Sequence, residues 1–319
     1  MKALRTLAVM LVCLAANVAA APPDYPSRPI QVVVPYGPGG AVDVIGRVFA
    51  EHMSQTLGQP IVIQNRPGAN ANIGPSLVAK ASPDGYTLLA SSTATVFNPL
   101  TERNIDWSAS SFTPIARMVQ SPNLIVVSPA MKVNTLQDFI VLARSKPGLT
   151  TPVTGLGSSQ SVARESFAKA AGIELLGVAY KGGVSFIPDL LSGTLAMSVS
   201  PMNVVLRLVK DGQLVAIGNT GPQRSPLLPD VPTMSESGFP EATSVSWFGF
   251  HAPAGTPKPV IQKLARAVSE AAADPRIQAR IAALGAELAY LDTPAFQAFL
   301  DDEVARATKF IEAMGKSKR

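Results

Sequence analysis

The sequence predicts an α/β protein of two domains, with parallel-rich sheets flanked by helices and two chain crossings that form a hinge. Three observations lead there. Short Val/Ile-rich runs alternate with segments of helical period along most of the chain, the pattern of strands joined by crossover helices. The composition is 47% hydrophobic but only 6% aromatic, which favours an Ala/Val/Leu-packed core over an aromatic-rich β module. About 300 residues remain once a leader is removed, enough for two domains at the usual ~100–200 residues each.

The leader is residues 1–20. Lys2 and Arg5 give a basic start, 6–16 an apolar stretch, and Val18-Ala19-Ala20 a small-residue cleavage site before Ala21, together a secretory signal. The single cysteine, Cys13, lies inside it, and Met10-Leu11-Val12 lacks the small residue that lipoprotein processing needs. The mature chain is then expected to hold no disulfide, thiolate metal site or thiol nucleophile. Losing Lys2 and Arg5 from 27 basic residues leaves three more than the 22 acids. That surplus is too small to imply nucleic acid, and the one local cluster, Lys316-Ser317-Lys318-Arg319, reads as a solvated tail. No later apolar run approaches the ~20 residues that cross a bilayer, so a soluble exported product is expected.

In chain order, strands are expected at 30–34, 61–64, 87–90, 124–127, 175–178, 196–199, 216–218 and 247–251. Helices fit between them at 41–57, 76–81, 136–145, 161–171, 186–192 and 204–211. The first of these carries Val44, Val48, Phe49, Met53 and Leu57 along one face. The remaining chain reads as helical, at 258–272, 275–284 and 293–314, with Thr293-Pro294 as a start signal. These last helices need a partner already built. The economical arrangement puts 21–124 and 249–319 in a discontinuous first domain and inserts 125–248 as the second, with crossings near 121–126 and 246–250. The proline-rich stretch 224–232 is an ordered irregular loop.

Residues 30–43 are the most informative stretch, because a β-branched run stops at a glycine turn and opens into a helix pattern. That makes an anion cradle: glycines let the backbone approach a ligand, and the first N–H groups of a helix point outward at its positive end. The turn has no Gly-Lys-Ser/Thr ending and no G-x-G-x-x-G spacing, which disfavours nucleotides and leaves a small anion, most simply a carboxylate. Two more segments repeat the chemistry, 91–95 after one strand and 155–161 before a helix. A lone Gly/Ser turn reads as a helix cap; three, split between two domains, point to a shared cleft at strand carboxyl ends. The candidate ligand residues are Tyr36, Gly37, Gly39, Gly40 and Asp43; Ser91, Ser92, Thr93 and Ala94; Gly157, Ser158, Ser159, Gln160 and Ser161; and Tyr180 and Lys181. Asp43 either meets an ammonium or amide of the ligand or caps its own helix. Tyr180 offers a hydroxyl and a wall and Lys181 a charge, or both form a rim.

Enzymatic readings fare poorly. His52 falls in a predicted amphipathic helix and His251 follows a strand, and there is no G-x-S-x-G elbow, H-E-x-x-H or Cys/His cluster, so neither metal nor cofactor is expected. The remaining enzymatic option is a hydrolase using Ser158 or Ser159 with Lys181.

The residues Tyr25-Pro26-Ser27-Arg28-Pro29-Ile30 through Gly39-Gly40 and Asp43, Gln64-Asn65-Arg66-Pro67-Gly68-Ala69, Ile73-Gly74 and Ser82-Pro83-Asp84-Gly85-Tyr86-Thr87-Leu88-Leu89 closely resemble the Bug-type (TctC-like) receptors of tripartite tricarboxylate transporters. The likeness continues in Tyr180-Lys181-Gly182, Arg224-Ser225-Pro226, Leu228-Pro229-Asp230-Val231-Pro232-Thr233 and Ala252-Pro253-Ala254-Gly255-Thr256-Pro257. It implies a monomeric periplasmic binding protein of type II-like, Venus-flytrap form. Such receptors close on a dicarboxylate, tricarboxylate, acidic amino acid or aromatic acid and serve membrane permease subunits. It also implies that backbone N–H groups, hydroxyls and waters of the loops matching 36–43 and 91–95 hold the carboxylate, with the loop matching 157–161 contributed by the second domain. There many members have a histidine after the serines, and this chain has Gln160-Ser161-Val162. A sensor docking to a membrane kinase would have the same cleft, and transport leads on the resemblance alone.

Overall fold

The computed structural model describes residues 25–153, 158–180, 184–313 and 315; the leader and its cleavage site lie outside them. The chain enters on β1 (Ile30–Val34), whose Ile30, Val32, Val33 and Val34 are all buried, as expected of a strand covered on both faces. It ends at Pro35 and the glycine turn. Helix α1 (Ala41–Leu57) follows, starting after an extended Gly40 and stopping at Gly58, whose φ of 67° closes it in the left-handed region. Its apolar stripe is Ile45, Val48, Phe49, Met53 and Leu57, with Val44 only half-buried beside it. Strand β2 (Ile61–Asn65) pairs parallel to β1, and after α2 (Ile73–Ala79) strand β3 (Thr87–Ser92) pairs parallel on its other side.

Helix α3 (Ala94–Thr101) comes next and was not expected, since Pro99, Thr95 and Asn98 weaken its helical signal. Strand β4 (Phe112–Val127) is far longer than the expected 124–127. Pro114 and Pro122 interrupt its pattern, and its register against β9 (Val245–Pro253) shifts at two places, the local bends that bulges produce. It is the organising strand. Its first part pairs with β9 and with β10 (Glu287–Leu291), and its last part with β7 (Ser198–Pro201) and β8 (Val215–Asn219), all antiparallel. Parallel pairing is confined to β1 with β2 and β3, and to β5 (Leu149–Val153) with β6 (Leu175–Ala179). Parallel pairing is thus less extensive than the sequence suggested, because β3 returns through β9 to a strand that every later element joins. Strands β5 and β10 were missed, the first for its Pro152 and the second because five residues sit between long helices.

Helices α4 (Leu136–Ser145), α5 (Ser159–Ala171), α6 (Ile187–Leu191) and α7 (Met202–Lys210) flank the strands of the middle of the chain. Helix α4 begins with a capping box, the Thr135 hydroxyl accepting from the Asp138 N–H and the Asp138 carboxylate from the Thr135 N–H. Helices α8 (Lys258–Ala273), α9 (Pro275–Ala283) and α10 (Thr293–Ala313) close the chain.

The buried side chains form separate cores. One joins β1, α1, β3 and Ile115–Val119 of β4 with Phe248, Phe250 and helices α8 and α9. Two others draw only on residues between Leu124 and Ala242. Strand β4 leaves the first core at Val119 and enters the others at Leu124, while β9 brings the chain back. We refer to the two sides as the first and second lobes. Helix α10 packs Phe296 edge-on against Trp247 at 5.6 Å between ring centroids, beneath Gly249. A methyl group at Gly249 would lie 2.6 Å from Phe296 Cζ and 2.8 Å from the Ala116 carbonyl oxygen. Gly249→Ala is therefore expected to lower stability by about 1–3 kcal/mol, read as a lower urea midpoint at unchanged slope; a midpoint equal to that of the wild type would show that the packing there is loose.

Candidate functional site

Between the lobes lies a cleft of about 770 Å³, counted to its open mouth. Three helices present their first turns to it: α1 through Gly40, Ala41 and Val42, α3 through Thr93 and Ala94, and α5 through Ser158 to Ser161. Each start follows from local sequence. Gly40 needs no side-chain room. Thr95 Oγ1 accepts from the Ser92 N–H at 3.4 Å, and Ser158 Oγ caps α5 by accepting from the Ser161 N–H at 3.2 Å. Helix N-termini carry outward N–H groups and partial positive charge, so the walls favour anions. Among the described residues lining the cleft none carries a charged side chain.

The first-lobe wall is completed by Tyr36, whose Oη lies 3.0 Å from Ser92 Oγ. Burial pushes its phenol up, a shift only partly offset by that hydrogen bond, so Tyr36 stays neutral. The second-lobe wall adds Pro152, Phe186, Ser198 to Pro201 and Val204, and the crossing strand β9 adds Ser246 and Phe248. The 198–204 segment was not foreseen. Its signal was present, since Ser-Val-Ser-Pro ends a strand and precedes a helix as 91–95 does, but the strand was expected two residues early.

The sequence candidates divide accordingly. Tyr36, Gly40, Ser92, Thr93, Ala94, Ser158, Ser159, Gln160 and Ser161 come together on the cleft. Gly37 and Gly39 shape the turn and are not on the wall. Ser91 is fully buried behind it, 2.7 Å from His251 Nδ1; burial pushes that imidazole down to about 3, so the pair is neutral and sealed. Tyr180 donates to Asp189 Oδ2 at 2.5 Å instead of facing the cleft. Gly157 and Lys181 lie outside the described residues.

Asp43 lies behind the wall as a support and is not among the residues that line the cleft. It is 3% exposed, and its carboxylate accepts from the Gly39 N–H at 2.9 Å, from Asn65 Nδ2 at 2.9 Å and from Arg47 Nε at 3.1 Å. Asn65 also donates to the Tyr36 carbonyl at 3.0 Å. This ties the glycine turn to the end of β2. Burial alone would raise the Asp43 carboxyl, but Arg47, Gly39 and Asn65 outweigh it and hold it below the usual carboxylate range. A depressed folded value means the stabilisation is complete above the ordinary carboxyl pKa of ~3.9 and fades as pH falls through the folded value. Asp43→Asn is expected to lose about 1–3 kcal/mol at pH 7 and to show a shallower loss of stability between about pH 5 and 3. Parallel urea curves for the two proteins across that range would contradict the assignment.

Comparison with known proteins agrees with this architecture. A family profile described as "Tripartite tricarboxylate transporter family receptor" (TctC) matches residues 45–316. Protein BugT of Bordetella pertussis is 34% identical over 321 residues, 98% of each chain. The periplasmic binding protein BugD superposes with a TM-score of 0.88 at 31% identity, covering 92% of this chain and 100% of its own. Rpa4515 of R. palustris, solved with adipate, has a TM-score of 0.88 at 31% identity, covering 91% of this chain and 98% of its own. The fold is that of a two-domain periplasmic binding protein such as BugD, and the matched family is one of receptors and not of enzymes. A cleft walled by helix starts between two lobes, in a chain matched along nearly its whole length, places this protein in the tripartite tricarboxylate transporter receptor (TctC) family.

Proposed function

We propose that this chain captures a small carboxylate in the cleft and hands the closed form to a membrane permease. The observation that carries the reading is the convergence of three helix starts from both lobes on one cleft whose described lining residues carry no charged side chain. A carboxylate there would be met by N–H groups and hydroxyls, whose hydrogen bonds to a charged acceptor are worth about 1.5–3 kcal/mol each. Neutral donors suit an open cleft, because they leave no unpaired charge when it empties. The adipate bound to Rpa4515 supports a carboxylate ligand. The secretory signal read from the sequence at 1–20 and the likeness to the periplasmic binding protein BugD support a periplasmic location.

The proposed domains are 21–124 with 249–319, and 125–248, moving about β4 and the start of β9 as a monomer. The ligand drives closure only through contacts it makes with both lobes together, since equal affinity for open and closed forms shifts nothing. A thermal-shift screen over di- and tricarboxylates, acidic amino acids and aromatic acids is expected to raise the melting temperature for a narrow subset; a flat response to every carboxylate would overturn the reading. With the responding acid, Ser92→Ala and Ser158→Ala are each expected to weaken binding about ten- to a hundredfold by calorimetry, without unfolding. Unchanged affinity in both would remove the cleft from the reading.

A further inference from the structure

Gln160 sits on the cleft wall in a network that fixes which end of its amide is free. The network starts at a backbone group that can only accept. The Ser244 carbonyl oxygen receives Thr220 Oγ1 at 2.5 Å and Asn123 Nδ2 at 3.2 Å. The Thr220 hydroxyl has therefore used its proton and accepts from Asn123 Nδ2 at 3.3 Å, so Asn123 must turn its oxygen the other way. Asn123 Oδ1 then faces two donors, Ser246 Oγ at 3.0 Å and Gln160 Nε2 at 3.3 Å. Gln160 Nε2 also lies 3.3 Å from Ser246 Oγ, which has given its proton to Asn123 and is left to accept. These two acceptors stand only 3.0 Å apart, too close together to take the two N–H bonds of a planar amide separately, so they share one N–H and hold the nitrogen end of the Gln160 amide toward them. A flipped amide would set its carbonyl against Asn123 Oδ1, acceptor to acceptor.

The opposite end of that amide is Gln160 Oε1, an acceptor on a half-buried side chain at the cleft. Among the described residues it has no hydrogen-bond partner, and it is not sealed from solvent. A carboxylate oxygen beside it would be repelled, which keeps the anionic group toward the first lobe. An enclosed acceptor also penalises any ligand that brings it no donor. An ammonium would supply one, but among the described lining residues there is no carboxylate to balance its charge; a hydroxyl supplies a donor without charge.

Resting on the carboxylate reading above, we propose that Gln160 is a specificity-determining residue, its amide oxygen selecting carboxylates that carry a hydroxyl group over their deoxy counterparts. The hydrogen-bond chain from Ser244 fixes the polarity of that amide.

The test is calorimetry on the full mature chain with three matched pairs: malate and succinate, citrate and tricarballylate, mandelate and phenylacetate, with aspartate as the charged-donor arm. The expected result is that the pair that fits binds with its hydroxylated member favoured about tenfold, that aspartate binds more weakly than malate, and that Gln160→Met brings the ratio to about one, weakening the hydroxylated member and relieving the penalty on the deoxy one. Equal binding of both members by the wild-type protein would overturn the proposal without any variant. So would a ratio preserved in a Gln160→Met protein whose melting curve shows it folded, or aspartate bound more tightly than malate. Failure of all probes would remove the carboxylate reading and this proposal with it, whereas binding without discrimination removes only the role of Gln160.

Discussion

Three helix starts must reach one point from two separately packed lobes, and the rest of the structure follows from that. A helix start is useful to an anion only over its first turn, because the free N–H groups and the dipole field fall away beyond it. Each helix must then begin at the cleft edge, so each preceding strand must end there. In the first lobe β1 and β3 run parallel and side by side, which delivers α1 and α3 to the same edge. Small residues hold the turns open to a ligand, and buried polar groups behind the wall hold them in place. Asp43, Arg47 and Asn65 form that support on one side, and Ser91 with His251 on the other.

The second lobe meets the same edge through two strands. Strand β4 belongs to the first core up to Val119 and to the others from Leu124, and β9 carries the chain back beside it. At this junction the packing is polar: Asn123 on β4, Ser246 on β9 and Ser159 and Gln160 on α5 bond to one another. Hydroxyl and amide contacts of this kind are individually worth about 1 kcal/mol and tolerate small rearrangements better than interlocked apolar side chains. A junction built this way suits motion between lobes and places cleft residues in contact with both crossing strands.

Much of this was legible from the chain. Strand β1 and helix α1 are read to the residue because a β-branched run stops at Pro35 and two glycines bracket the helix. The serines and threonines of 91–95 and 158–161 were legible as cleft loops after a strand or before a helix, although the helix that 91–95 opens was not. Where the reading failed, the missing information was tertiary. Pro114 and Pro122 break the pattern of β4, which persists because β9 pairs along most of it. Helix α3 survives Pro99 because Asn98 is anchored, its amide donating to the Asn70 carbonyl and to Asn72. Asp43 and Tyr180 had suitable chemistry for a ligand, but Arg47 and Asp189 claim them, and no spacing in the sequence reveals such partners.

The central claim is that neutral donors at helix starts, and no charged side chain among those described, hold a carboxylate between the lobes. The most direct measurement is a crystal structure of the protein with the carboxylate that most raises its melting temperature. The account predicts carboxylate oxygens within about 3 Å of the N–H groups at the starts of α1 and α3 and of the Tyr36–Ser92 hydroxyl pair, with second-lobe contacts from Ser158 to Ser161. A carboxylate bound outside this cleft, or held there by a salt bridge to an arginine or lysine in place of the helix starts, would contradict it.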